Sequence, residues 1–415
     1  MKKIALLIMM FIFLTCKTAC GQADSLQDHS IAGADRDDFI TVSMLVASPQ
    51  RALYSVFGHA VLRLQSPSNN LDYVFTFESQ PNMGTFITGV LGKARAHYVA
   101  VPAEQYIDDM RKDHRELWQY KLNLKPQEKQ ELWRILDSEL QSGDYRYFNI
   151  LYTNCLTTSV VNLQRSLMNE HVEWGEPIFP MMLSNGEVLR YTLRNSKWTE
   201  FLFVTFGGLA YGRHTPNESR LIPEVIIPML RQAKIVENET GKSRPVITDK
   251  GKRLVKGIKD RPLAVSPMMV FGLLLLIALM VTACEWLLGW QKLARIFDVL
   301  QFGTQTLVGL LMLLVTTCSE LFSSIWNWYY VVFLPVPLLL WYMFGRKSSK
   351  KTPQRKHKAM RCWQAYSIVL VLFMAATPLL PMLDLPHQLI TASLAVRSFS
   401  HYLRYRSKNQ ISIYV

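Results

Sequence analysis

Asn154-Cys155-Leu156-Thr157-Thr158-Ser159-Val160-Val161-Asn162-Leu163 is the stretch on which the reading of this chain turns. Asparagine caps helices by accepting backbone N–H bonds with its side-chain oxygen, and Val160, Leu163 and Leu167 recur at helical spacing. The pattern predicts a helix over 157–167 with Cys155 at its first turn. A thiol there meets unpaired N–H groups and the positive end of the helix dipole, which lower its pKa. The same N–H groups can hold an oxyanion when sulfur attacks an ester or amide carbonyl. The competing reading is a small, inert core residue.

Working outward, the other cysteines fall elsewhere. Cys16 and Cys20 lie in an N-terminal leader, and Cys284, Cys318 and Cys362 lie in or beside long apolar blocks. Cys155 is left alone in the segment between, so it has no internal disulfide partner. A thiol nucleophile needs a base. His59, in Tyr54-Ser55-Val56-Phe57-Gly58-His59-Ala60-Val61-Leu62-Arg63, sits at a turn feeding a predicted strand over 60–64. From a strand edge it can serve as general base, with Gly58 allowing close backbone approach; a structural histidine is the plainer alternative. His97 and His114, in polar or basic surroundings, read as solvated. Glu78, closing a predicted strand over 73–77, is the expected orienting carboxylate, with Asp72 as the alternative. Tyr54, Ser55 and Asn154 are the expected substrate-binding residues.

The remainder sets the architecture. The 415 residues exceed one ordinary domain. Met1-Lys2-Lys3, an apolar run over 4–14 and small residues around Ala19-Cys20-Gly21 form a signal-peptide layout, with cleavage after Gly21. A strand over 39–46 and helices over 102–117, 126–140 and 221–230 are expected. The aromatic-rich 201–209 and apolar 222–230 are candidates for a membrane-facing mouth, or for ordinary core. Apolar blocks over 265–287, 304–318, 328–344 and 366–383 are candidate spans. Residues 389–396 either complete a fifth span with Leu403 or form an interfacial helix with Arg397 and Arg404 facing outward.

The net charge of +14 does not point to nucleic acid, because of where it sits. Arg346, Lys347, Lys350, Lys351, Arg355, Lys356, Lys358 and Arg361 crowd one loop between apolar blocks, as cytoplasmic loops do. With an exported N-terminal part, this loop and that of Lys292 and Arg295 both fall in the cytoplasm. Glu285 and Glu320 near span ends read as interfacial, and Trp286, Trp290, Trp326 and Trp328 as an interface belt. The expected organisation is a signal peptide (1–21), an exported catalytic domain (22–240), a basic linker (241–264) and a membrane domain of four or five spans (265–415). The fold class is α+β followed by an all-α membrane domain, and the location is the bacterial inner membrane, multi-pass, with the catalytic domain on the periplasmic side.

The order His59, acidic strand, then Asn154-Cys155 at a helix start resembles the permuted papain-like thiol enzymes, including NlpC-type and lecithin:retinol acyltransferase-like families. More closely, Phe57-Gly58-His59-Ala60-Val61-Leu62-Arg63 and Asn154-Cys155-Leu156-Thr157-Thr158 look like the Lnb-type lipoprotein N-acyltransferases, as do Leu91-Gly92-Lys93 and Asn327 between Trp326 and Trp328. This chain has Phe75-Thr76-Phe77-Glu78 where the family tends to a Tyr-Gly-Thr-Phe-Asp strand, and Glu320 near a point where a histidine is expected. The resemblance implies that Cys155, with His59 as base, takes an acyl chain from a membrane phospholipid and passes it to the α-amino group of a diacylated lipoprotein's terminal cysteine. The partners are then phospholipid, lipoprotein and the bilayer; no metal or cofactor is called for. Two other readings are a membrane-anchored cysteine peptidase or amidase of cell-wall peptide, and a non-enzymatic membrane scaffold with a buried Cys155.

Overall fold

Apolar residues alternate along Thr41–Ala47 (β1), His59–Ser66 (β2) and Leu71–Glu78 (β3), so each strand presents one side chain in two to either face of a sheet. The computed structural model describes residues 40–50, 55–79, 84, 88–89, 91–149, 153–175, 190–207, 223–258, 263–319, 327–345, 353–379 and 384–411. The leader over 1–21, Tyr54, Glu320 and Trp326 lie outside them. The chain divides into two compact units, Met1–Pro49 with Phe57–Ile178 and Leu221–Ile258, and Gln50–Val56 with Phe179–Arg220 and Lys259–Val415.

The first unit is α+β. With Arg95–Pro102 (β4), Leu117–Lys121 (β5), Arg146–Tyr147 (β6) and Lys252–Val255 (β10), the three strands form a seven-stranded antiparallel sheet in the order β10-β5-β1-β2-β3-β4-β6. One face carries Ala60, Leu62, Phe75 and Phe77, buried with Leu132 and Leu136 of helix Pro126–Ser142 (α2) and Leu156 and Leu163 of helix Cys155–Ser166 (α3). The other carries Val61 and Val74, buried with Ala103, Tyr106 and Met110 of helix Ala103–Lys112 (α1). Glu170–Glu173 (β7), Lys234–Glu237 (β8) and Ser243–Pro245 (β9) make a second small sheet.

Three expectations are corrected here. Leu117 opens a strand rather than ending a helix, because β1 and β10 supply ladder partners on both sides of β5. The basic linker expected over 241–264 is in part structured, since β9 and β10 are edge strands of the two sheets. Helix Pro223–Gln232 (α5) buries Ile226, Met229 and Leu230 in the core of the first unit, so its apolar face is core and not a lipid-facing mouth.

The second unit is helical. Lys197–Gly207 (α4) buries Phe201 and Val204 in a core shared with the long helices, so 201–207 is likewise packing. Among the described residues, three helices are long and apolar enough to cross a membrane: Pro267–Leu287 (α6), Gln291–Cys318 (α7) and 354–376 within Pro353–Ala376 (α10). The block expected as one span over 328–344 is two shorter helices, Tyr330–Phe333 (α8) and Val336–Gly345 (α9). Pro335 and Pro337 break it by removing backbone donors. Leu385–Ile411 (α11) packs against α6 and α10.

The interfacial reading of 389–396 is overturned. Arg397 is fully buried, and its guanidinium donates to Asp298 at 2.7 and 3.0 Å, to Glu285 at 3.0 Å and to Thr282 at 2.8 Å. Glu285, expected at the interface, is buried in the same cluster, where it also accepts from Ser400 and pairs with Arg404. Charge in an apolar bundle is retained when its partners are buried with it. Trp286, Trp290 and Trp328 are exposed, as an interface belt requires.

Candidate active site

Asn154 closes the start of α3 as a capping box. Its side-chain oxygen accepts from the N–H of Leu156 and of Thr157, both at 2.9 Å, and its own N–H donates to Thr157 Oγ1 at 2.8 Å. Asn154 is thus committed to holding the helix end, a contribution of about 1 kcal/mol for caps of this kind. Ser55, the other expected substrate-binding residue among the described ones, is buried.

The cap fixes Cys155 as the first helical residue, 5% exposed. The backbone amides of Ala60, Leu156 and Cys155 act electrostatically on its sulfur in favour of the thiolate, although the Leu156 N–H is bonded to Asn154 Oδ1. Ala60 adjoins His59 at the start of β2, and α3 packs on β2. Gly58, just before His59, has φ +80°, and a Cβ there would stand 2.8 Å from the Ala47 carbonyl oxygen, so glycine lets the chain enter β2 close against β1.

His59 Nε2 lies 2.8 Å from Thr76 Oγ1, and the Thr76 hydroxyl donates onward to Glu78 Oε2 at 3.4 Å. The expected third residue therefore meets the imidazole through an intervening threonine. Asp72, the alternative, is paired with Arg63 at 2.6 and 2.7 Å and is not part of this chain of bonds. His97 faces Glu78 across the β3–β4 ladder.

The electrostatics correct the expectation of an acidic thiol. Burial pushes the Cys155 thiol up to about 11, outweighing the three N–H groups and the Arg115 guanidinium, all of which pull it down. Burial, then the Arg115 charge, holds the His59 imidazole down to about 3. Thiol and imidazole are therefore both neutral at neutral pH, and neither carries the charge of a preformed ion pair. Burial also raises the Glu78 carboxyl, opposed by the Thr76 hydroxyl. Its side chain stands at the exposed end of β3, where water offsets much of that rise.

The site thus wraps round the sheet edge where β2 begins and β3 ends. It holds a buried thiol at a capped helix start and an imidazole whose ring is oriented by Thr76. Family models match both parts of the chain: the Lnb N-terminal periplasmic domain over residues 32–183 and the Lnb transmembrane domain over residues 259–408. The chain is an Lnb-type fusion of a periplasmic and a membrane domain. Neither a curated protein nor a solved structure matches it.

Within the Lnb periplasmic domain, His59, Thr76, Glu78 and Cys155 all fall inside the matched residues. Asn327 falls inside the matched membrane domain, where its amide donates to the carbonyls of Thr205 and Phe206 and so fixes the end of α4. Among the described residues, no three His, Cys, Asp or Glu side chains are grouped to hold a metal ion. Two residues near the sulfur escape a reading of the sequence: Tyr106 of α1, and Arg115, which leaves α1 for β5. Both sit in ordinary-looking polar stretches, and only the fold carries them to Cys155.

Proposed function

We propose that this Lnb-type protein is a lipoprotein N-acyltransferase of the bacterial inner membrane. It would hold its catalytic domain on the periplasmic side and pass several times through the bilayer. The observation that carries the reading is a buried thiol at the capped start of a helix that packs on β2, the strand His59 opens, in a periplasmic domain fused to membrane helices.

In the proposed reaction the Cys155 sulfur attacks an ester carbonyl of a membrane phospholipid while His59 takes the thiol proton. The C–O bond breaks, the alkoxide recovers the proton from His59, and a lysophospholipid leaves a thioester on Cys155. The α-amino group of a diacylated lipoprotein's N-terminal cysteine then attacks the thioester. The S–C bond breaks, the amine proton returns to sulfur through His59, and an amide remains. Ester and amine become alcohol and amide, with no redox change. If Thr76 donates to Glu78, its oxygen accepts from His59 Nε2–H, and Nδ1 is the nitrogen free to act as base. The near-complete burial of Cys155 supports a transferase over a hydrolase, because the thioester must outlast encounters with water.

Mass spectrometry of lipoprotein N-termini tests the reading. Cells lacking the gene should lose N-acylation, and a copy carrying Cys155→Ala should fail to restore it. Unchanged lipoproteins in the deletion would overturn the function; restoration by the alanine variant would overturn the thiol mechanism. Altered cell-wall peptides with intact lipoproteins would favour the amidase reading instead.

A further inference from the structure

Arg115 is 5% exposed, and its Nε donates to the Ser48 carbonyl at 3.0 Å. Ser48 directly follows Ala47, which pairs with His59 across the β1–β2 ladder, so this bond hangs the guanidinium at the sheet end that holds the site. Nη2 of Arg115 is buried with no hydrogen-bond partner, and among the described residues no carboxylate pairs with this cation. Tyr106, 6% exposed, likewise buries a hydroxyl that has no partner. The two groups interact with each other, and each interacts with Cys155.

A buried cation and a buried phenol left without acceptors are both costly states, and proteins rarely carry two side by side without use. Both are donors, one is charged, and both lie close enough to Cys155 to act on it electrostatically. What completes them is an anionic oxygen brought by a ligand. Guanidinium forks match phosphate oxygens bidentately, and a glycerophospholipid carries its phosphodiester a few bonds from the ester under attack.

We propose that Arg115 and Tyr106 form the recess that takes the phosphodiester of a glycerophospholipid acyl donor and so sets its ester against Cys155. This rests on the acyl-transfer reading above and adds what selects the donor.

The test uses the full-length protein in detergent micelles without lipoprotein acceptor, following acyl-Cys155 by intact mass. Two donors are compared: phosphatidylglycerol, and p-nitrophenyl butyrate, an ester without phosphate. Arg115→Gln and Tyr106→Phe should each slow acylation by phosphatidylglycerol more than acylation by the butyrate ester. For Arg115→Gln the excess should be about 10- to 100-fold, the range for a charged hydrogen bond, with Arg115→Lys in between. Equal losses with both donors, or no loss with either, would overturn the recess and leave acyl transfer standing. A wild-type protein acylated by the butyrate ester but never by phosphatidylglycerol would overturn the acyl-transfer reading, and the recess with it. A measurement on wild-type protein alone guards against misfolded variants. Ether-linked phosphatidylglycerol should protect Cys155 from the butyrate ester where ether-linked diacylglycerol does not; equal protection by the two would overturn the proposal.

Discussion

His59 and Thr76 are joined ring to hydroxyl, Nε2 to Oγ1 at 2.8 Å, from adjacent strands of one sheet. Continuing the register Leu62↔Phe75, Thr76 falls opposite Val61, two residues from the position opposite His59 and on the same face as Val74 and Val61. The bond therefore follows from strand register: a one-residue slip would turn the hydroxyl to the far face. The threonine also separates His59 from the only carboxylate in this chain of bonds, Glu78.

Thr76→Val keeps the side chain's shape and removes the hydroxyl. Nε2 then loses its partner and the ring its fixed tautomer. The rate of acyl-Cys155 formation should fall on the order of 10- to 100-fold, a part of what a general base supplies, and Thr76→Ser should restore most of it. Glu78→Gln should cost less, because its bond to Thr76 is 3.4 Å long and its side chain is exposed. Unchanged acylation in Thr76→Val would remove threonine from the orienting role.

The pH dependence of the thiol separates a neutral pair from an ion pair. With His59 neutral above about 3 and Cys155 protonated below about 11, the resting state does not change across the neutral range. Iodoacetamide should label Cys155 slowly at neutral pH and faster only as pH climbs toward 11. Acyl-Cys155 formation, measured without acceptor, should stay flat from about pH 5 to 9, because the reactive form is the neutral pair. Fast labelling already complete at pH 7 would show a resting thiolate and contradict the burial argument.

What could be read in the sequence, and what could not, divides along chain distance. The Asn154 cap, the helix behind it and β1 to β3 are local patterns, and the residues that form them also signal them. β5 was hidden because Leu117–Lys121 follows a helical stretch and is extended only through β1 and β10, the latter more than 130 residues further on. β10 itself, Lys252-Arg253-Leu254-Val255, has the charged composition of an edge strand and so looks like a linker. The thiol's pKa was misjudged for a related reason: the helix start is visible in sequence, while the burial that outweighs it is not. Arg397 and Arg404, seven residues apart, share a helix face in any reading. Only the bundle shows that this face meets Asp298 and Glu285.

Arg244 ties the small sheet to the first unit's helices. It donates to Glu128 at 2.8 Å through both carboxylate oxygens and pairs with Glu170 at 2.5 Å, while Lys125 reaches Glu170 at 2.6 Å. Glu128 and Glu170 are both buried. Arg244→Met would leave the carboxylates facing each other without their shared cation, and breaking a buried pair of this kind costs about 3–5 kcal/mol. The thermal midpoint of the first unit should drop clearly. Burial pushes Glu170 up, but bonds from Lys125, Glu128 and Arg244 bring it down to about 2. Its stabilising contribution is therefore full above the ordinary value of 4.5 and lost as pH falls through about 2. An unchanged midpoint in Arg244→Met would mean the cluster is dispensable.

Arg397 should be the least replaceable charge of the helical unit. Its guanidinium is spent on Asp298, Glu285 and Thr282 from α6 and α7, and His401 adds a bond to Asp298 at 2.9 Å. Arg397→Met fills similar space but leaves two buried acidic side chains short of a cation, with Arg404 still beside Glu285. Removing one partner of a buried ion pair costs about 3–5 kcal/mol, so the variant should aggregate at distinctly lower temperature in detergent. The triple change Arg397→Met, Asp298→Asn, Glu285→Gln removes the stranded charges together and should recover much of that loss, because the cost lies in uncompensated charge more than in lost bonds. A triple variant no more stable than the single one would mean that the network's geometry, and not its charge balance, holds α11 against α6 and α7.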